Sequence, residues 1–125
     1  MSDYRVLLLE DDVALRGLLI EALEAEQYAV VACESFEQLH AAAAAHEGDV
    51  VVADFWGTGQ RTLSDQDRSQ IRELGELLPV VLLTGRSWAA ELTAGELGAR
   101  GLIRKPFDLD HLLGTLQDVL ARTQA

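Results

Sequence analysis

Four short polar signals, each at the end of an apolar run, carry the chemistry available to this chain. Glu10-Asp11-Asp12 follows Val6-Leu7-Leu8-Leu9, and Asp54 follows Val50-Val51-Val52-Ala53. Thr84-Gly85 follows Val80-Val81-Leu82-Leu83, and Arg104-Lys105-Pro106-Phe107 follows Gly101-Leu102-Ile103. If the runs are parallel neighbouring strands, all four signals converge at the edge where open α/β sheets bind ligands. Carboxylates drawn together there need a cation, because two like charges about 4 Å apart repel by about 4 kcal/mol at an effective dielectric of about 20. Two or three carboxylates with water suit Mg²⁺, which also accepts phosphate oxygens, whereas calcium wants more protein ligands. Asp54, at the exposed end of its run, is the candidate nucleophile, since carboxylates form acyl phosphates when a metal neutralises the incoming oxygens. The Thr84 hydroxyl can donate to a phosphoryl oxygen. Lys105 supplies a point charge to the same oxygens and can pair with Asp54 beforehand.

The elements that must position these residues alternate along the chain. Val6 to Leu9 has the continuous apolar character of a strand buried on both faces. Leu15, Leu18, Leu19, Ala22 and Leu23 recur at helical spacing, with Arg16, Glu21 and Glu24 opposite. Residues 28–33 form a second strand. Ser35 with Gln38 has the form of a capping box and opens a helix through about His46 that includes the alanine run 41–45. Residues 49–53 are the third strand. Ser64 caps a helix with apolar Ile71, Leu74, Leu77 and Leu78, Pro79 stops it, and residues 80–83 are the fourth strand. Ser87 is read as the cap of a helix over 88–97 that ends at Gly98, with Gly95 weakening it. Residues 101–104 are a short fifth strand. Asp108 caps a last helix with Leu109, Leu112, Leu113, Leu116, Val119 and Leu120 on one side. Five strands alternating with five helices predict a doubly wound α/β fold with a parallel sheet and right-handed crossovers.

The order and spacing of Glu10-Asp11, Asp54, Thr84 and Lys105-Pro106 resemble the receiver domain of two-component response regulators, over residues 4–120 or so. The resemblance implies a flavodoxin-like sheet of strand order 2-1-3-4-5. It also implies that Asp54 takes a phosphoryl group from the histidine of a sensor kinase or phosphotransfer protein. Glu10, Asp11, Asp54 and the backbone carbonyl of Trp56 then hold Mg²⁺, Thr84 and Lys105 serve the phosphoryl oxygens, and Lys105-Pro106 matches the family's cis peptide. The fourth helix, fifth strand and fifth helix become the face read by a downstream protein. Thr58 stands where the family usually has proline, and Leu102 where it often has an aromatic switch residue. Asp12 is the acid expected to act only as a helix cap.

The bulk numbers exclude other classes. At 125 residues the chain is expected to be one receiver domain, 1–125, monomeric or a weak homodimer. Its net charge of −11 repels nucleic acid and anionic membranes, and no apolar run reaches the roughly 20 residues that span a bilayer. The single cysteine, Cys33, forms no internal disulfide, which fits a cytoplasmic setting. Gly57-Thr58-Gly59 lacks the third glycine of a dinucleotide site, and Trp56 stands where haloacid-type phosphatases have a second aspartate. His40, His46 and His111 are read as solvated or helix-end residues rather than metal ligands. No enzyme activity is expected beyond Mg²⁺-dependent self-phosphorylation and self-dephosphorylation. The rival readings are a pseudo-receiver that binds partners without phosphorylation and a Mg²⁺-dependent phosphatase acting on outside substrates.

Overall fold

The computed structural model describes residues 4–54, 64–84, 93–104 and 107–124. Five strands, β1 (Arg5–Glu10), β2 (Ala29–Cys33), β3 (Val50–Asp54), β4 (Val80–Thr84) and β5 (Gly101–Arg104), form one sheet in the order β2-β1-β3-β4-β5. Every pairing is parallel. The helices are α1 (Val13–Ala25), α2 (Phe36–Ala44), α3 (Asp65–Leu77), α4 (Ala94–Leu97) and α5 (Leu109–Gln124). This is the doubly wound arrangement expected from the alternation.

Strand alternation divides the core into two layers. Leu7, Leu9, Val51, Ala53 and Leu82 meet Leu39 of α2, Ile71 and Leu74 of α3 and Leu97 of α4 on one face. Val6, Leu8, Val50, Val52, Val81 and Leu83 meet Leu19 and Leu23 of α1 and Leu112, Leu116 and Leu120 of α5 on the other. Each such leucine contributes about 2 kcal/mol by leaving water. That burial holds the central strands, and with them the polar residues at their ends, in fixed register. Leu18 departs from the expected apolar stripe. It is 51% exposed, because only Leu19 and Leu23 of α1 reach full burial against the sheet.

Local signals set the helix ends. The Ser64 hydroxyl accepts the Asp67 N–H at 3.0 Å, and the Asp67 carboxylate accepts the Ser64 N–H at 3.2 Å, a complete capping box. Ser35 caps α2 through Gln38 N–H at 3.2 Å, but Gln38 reaches one residue further back than expected, to the Glu34 N–H at 2.8 Å. Asp108 Oδ1 accepts the His111 N–H at 2.8 Å at the start of α5. α2 ends at Ala44 rather than His46, and His46 takes a left-handed φ of 56° in the turn that follows.

The expected helix over 88–97 is corrected at its start. Described helix begins only at Ala94, because Thr93 has extended backbone (φ −103°, ψ 161°) and forms its own capping box with Glu96. Ser87 and Trp88 lie outside the described residues. Gly98 ends α4 at φ 79°, and its carbonyl approaches Gly75 of α3 so closely that a Cβ there would clash. Two glycines therefore seat the end of α4 on α3.

Candidate functional site

The site is built by register. Glu10, the last residue of β1, is the Cα partner of Asp54, the last residue of β3, so the two carboxylates leave adjacent strands side by side. Thr84 ends β4 on the far side of β3. These three are the buried polar or charged residues among those described, with exposures of 1% for Glu10, 4% for Asp54 and 2% for Thr84. Asp11 continues from β1 and is exposed. Carboxylate oxygens of Glu10, Asp11 and Asp54 all lie within 4.8 Å of one another.

Asp12 stays out of this cluster. Its Oδ1 accepts the Leu15 N–H at 3.0 Å and caps α1, as expected of the third acid. Its backbone N–H donates to Glu10 Oε1 at 3.0 Å. The other oxygen of Glu10, Oε2, and Oδ1 of Asp54 are buried and accept no hydrogen bond, although both residues make further polar contacts.

This donor set fits Mg²⁺. All its ligand atoms are hard carboxylate oxygens, two of the acids are buried and one faces solvent, and there is no nitrogen or sulfur donor in the cluster. Three carboxylates leave coordination positions to water and to phosphate oxygens, the arrangement that Mg²⁺ prefers. Like charges this close favour a cation between them. Lys105 and Trp56, assigned to the phosphoryl oxygens and to a backbone metal contact, lie outside the described residues, as do Gly85 and Pro106. Arg104, which opens the fourth polar signal of the sequence, is exposed and is the register partner of Thr84, which puts a cation at this edge.

Two shifted titrations lie away from the carboxylates. Burial, and then the charge of Glu47, raise the Cys33 thiol above its ordinary value. Burial raises the Tyr28 phenol, helped by Glu26 and Tyr4. Cys33 faces Leu9 across β1 and β2, and its thiol is kept neutral and unreactive at neutral pH. Of the histidines, His40 lies 4.0 Å from Glu73 on the neighbouring helix, while His46 and His111 are exposed. Among the described residues no histidine joins a metal cluster.

Known proteins are similar to this chain in sequence and fold. The family model for the response regulator receiver domain matches residues 6–117. The response regulator MprA of Mycolicibacterium vanbaalenii is 32% identical over 120 residues, covering 95% of this chain and 51% of its own length. The phosphate regulon transcriptional regulatory protein PhoB of Pseudomonas aeruginosa is 29% identical over 124 residues, covering 98% of this chain and 54% of its own. The chain thus spans about half the length of the curated relatives it matches. Among solved structures, the non-phosphorylated HemR receiver domain of Leptospira biflexa is 32% identical with a TM-score of 0.71, covering 94% of each chain. With the strand order, the buried acid pair and a family match over most of its length, this chain belongs to the response regulator receiver domains of two-component systems.

Proposed function

We propose that this chain is a phosphoryl-accepting switch, modified on Asp54 with Mg²⁺ held by Glu10, Asp11, Asp54 and the Trp56 carbonyl. The observation that carries the reading is the gathering of three carboxylates within 4.8 Å at the C-terminal edge of the sheet. An Asp54 carboxylate oxygen attacks phosphorus in a phosphohistidine of a sensor kinase or phosphotransfer protein. The P–N bond breaks as the P–O bond forms, and the leaving imidazole keeps the electron pair and takes a proton. Mg²⁺ held by these residues would neutralise the charge of the transferred oxygens. The Thr84 hydroxyl and the Lys105 ammonium donate to those same oxygens.

The donor protein must reach Asp54 from the open edge. α1 starts there, and its residues Val13 and Leu18 are the large apolar side chains left exposed among those described, at 70% and 51%. They suit an apolar docking contact beside the site. The output lies on the face formed by α4, β5 and α5, where a downstream protein binds. Leu102 of β5 is half-buried against the α3 and α4 side of the core, so an aliphatic residue takes the place of the family's aromatic switch. No helix among the described residues is long and apolar enough to cross a membrane, which suits action in the cytoplasm.

The test is incubation with a small acyl phosphate donor, with Mg²⁺ or with a chelator, followed by intact mass. A gain of one phosphoryl group that needs Mg²⁺ is expected. No gain under either condition would leave the phosphorylation-independent binding module as the better reading.

A further inference from the structure

We propose that Asp12 is a positioning residue of the acidic site, one that holds Glu10 in place through its backbone while its side chain locks that backbone. The proposal rests on the Mg²⁺ reading of the site. Three polar groups of Asp12 are engaged at once. Oδ1 accepts the Leu15 N–H at 3.0 Å, the carbonyl accepts the Arg16 N–H at 2.8 Å, and the N–H donates to Glu10 Oε1 at 3.0 Å. The first two bonds tie Asp12 to the opening turn of α1 and fix its extended backbone at φ −80° and ψ 113°. The third bond points the other way, into the site.

Glu10 needs such a hold. Its side chain is 1% exposed and sits beside the carboxylate of Asp54, its partner across the β1–β3 pairing, which repels it. A glutamate has three rotatable bonds, and ordering it is among the larger side-chain entropy losses. A donor fixed to a helix end keeps one carboxylate oxygen in place, so the carboxylate stays in the cluster when no cation is bound. Partners of this kind behind metal-binding carboxylates commonly govern affinity by about ten- to a hundredfold. Asp12 is not itself in the carboxylate cluster, so its effect must pass through Glu10.

The alternatives are that Asp12 only stabilises α1, or that it acts by its charge alone. Asparagine caps a helix as well as aspartate does and carries no charge, whereas alanine carries no charge and caps poorly. Mg²⁺ titration by calorimetry therefore compares wild type, Asp12→Asn and Asp12→Ala, with thermal unfolding measured alongside. Asp12→Asn is expected to bind Mg²⁺ within about threefold of wild type, the share of its lost charge. Asp12→Ala is expected to bind about tenfold more weakly than Asp12→Asn. Equal affinities in the two variants would overturn the proposal, whatever the unfolding midpoint shows.

A metal-free measurement separates this proposal from the reading beneath it. The Asp12 amide should exchange slowly with solvent in the wild type and quickly in Glu10→Ala, followed by ¹⁵N NMR. Protection that survives in Glu10→Ala overturns the positioning role alone. A wild type that binds no Mg²⁺ overturns the metal reading, and the proposal with it.

Discussion

The two ends of the same strands treat their polar groups in opposite ways. Where the strands begin, the Arg5 N–H donates to Asp49 Oδ2 at 2.8 Å, the Asp49 N–H donates to the Arg5 carbonyl at 2.7 Å, and the Arg5 guanidinium donates to the Glu47 carbonyl at 3.2 Å. Each donor there meets an acceptor, in residues open to solvent. Where the strands end, Glu10 and Asp54 are buried side by side with Asp11 within reach, like charge against like. The first arrangement stabilises the sheet. The second sets like charges together and gathers chemistry, and the difference marks which end is used.

The largest break in this comparison comes from removing the acids. Glu10→Ala combined with Asp11→Asn should weaken Mg²⁺ binding by more than about a hundredfold, beyond what residues behind the ligands usually command. Stability without metal should hold or rise, because mutual repulsion falls. Calorimetry and urea unfolding check both halves. Unchanged Mg²⁺ affinity would remove the ligand roles, and loss of folding would return these acids to a capping duty.

The opposite pattern is expected at the quiet end. Asp49→Ala deletes the acceptor of the Arg5 N–H and should cost about 1 kcal/mol in urea unfolding, with Mg²⁺ affinity unchanged. A shift in Mg²⁺ affinity would show that the two ends are not independent.

The smallest effect is a pH dependence. Burial raises the Cys33 thiol, so the folded protein holds that proton to higher pH than the unfolded chain does. Its contribution to stability is therefore complete below the ordinary thiol range and is lost as pH rises through the raised value. Cys33→Ala should flatten the alkaline decline in urea stability, leaving the share due to Tyr28, which is raised in the same sense. An unchanged alkaline slope would contradict that assignment.

The strands were legible because apolar runs such as Val50-Val51-Val52-Ala53, bounded by polar residues, have few other uses in a chain of this size. The acid site was legible for the same reason, since Glu10 and Asp54 end two such runs. Two kinds of feature escaped. Register is a property of pairs of strands, so the exact partners, Glu10 opposite Asp54 and Arg104 opposite Thr84, did not follow from spacing, although the convergence of their strand ends did. The start of α4 escaped because its own capping signal was passed over. Ser87 suited the longer helix, while Thr93-Ala94-Gly95-Glu96 spelled the reciprocal box that forms. That box satisfies two backbone donors, and it stands in the chain before any folding is considered. Leu18 shows a related limit, because helical spacing names a face and not how much of that face the sheet covers.

Whether Asp54 is the phosphoryl acceptor is the central claim, and one measurement meets it directly. Wild type and Asp54→Asn are incubated with a small acyl phosphate donor and Mg²⁺, and their intact masses and peptide maps are compared. The account predicts one added phosphoryl group in the wild type, on the peptide containing Asp54, and none in a folded Asp54→Asn protein. An equal gain in the variant, or a gain on another peptide, would contradict it.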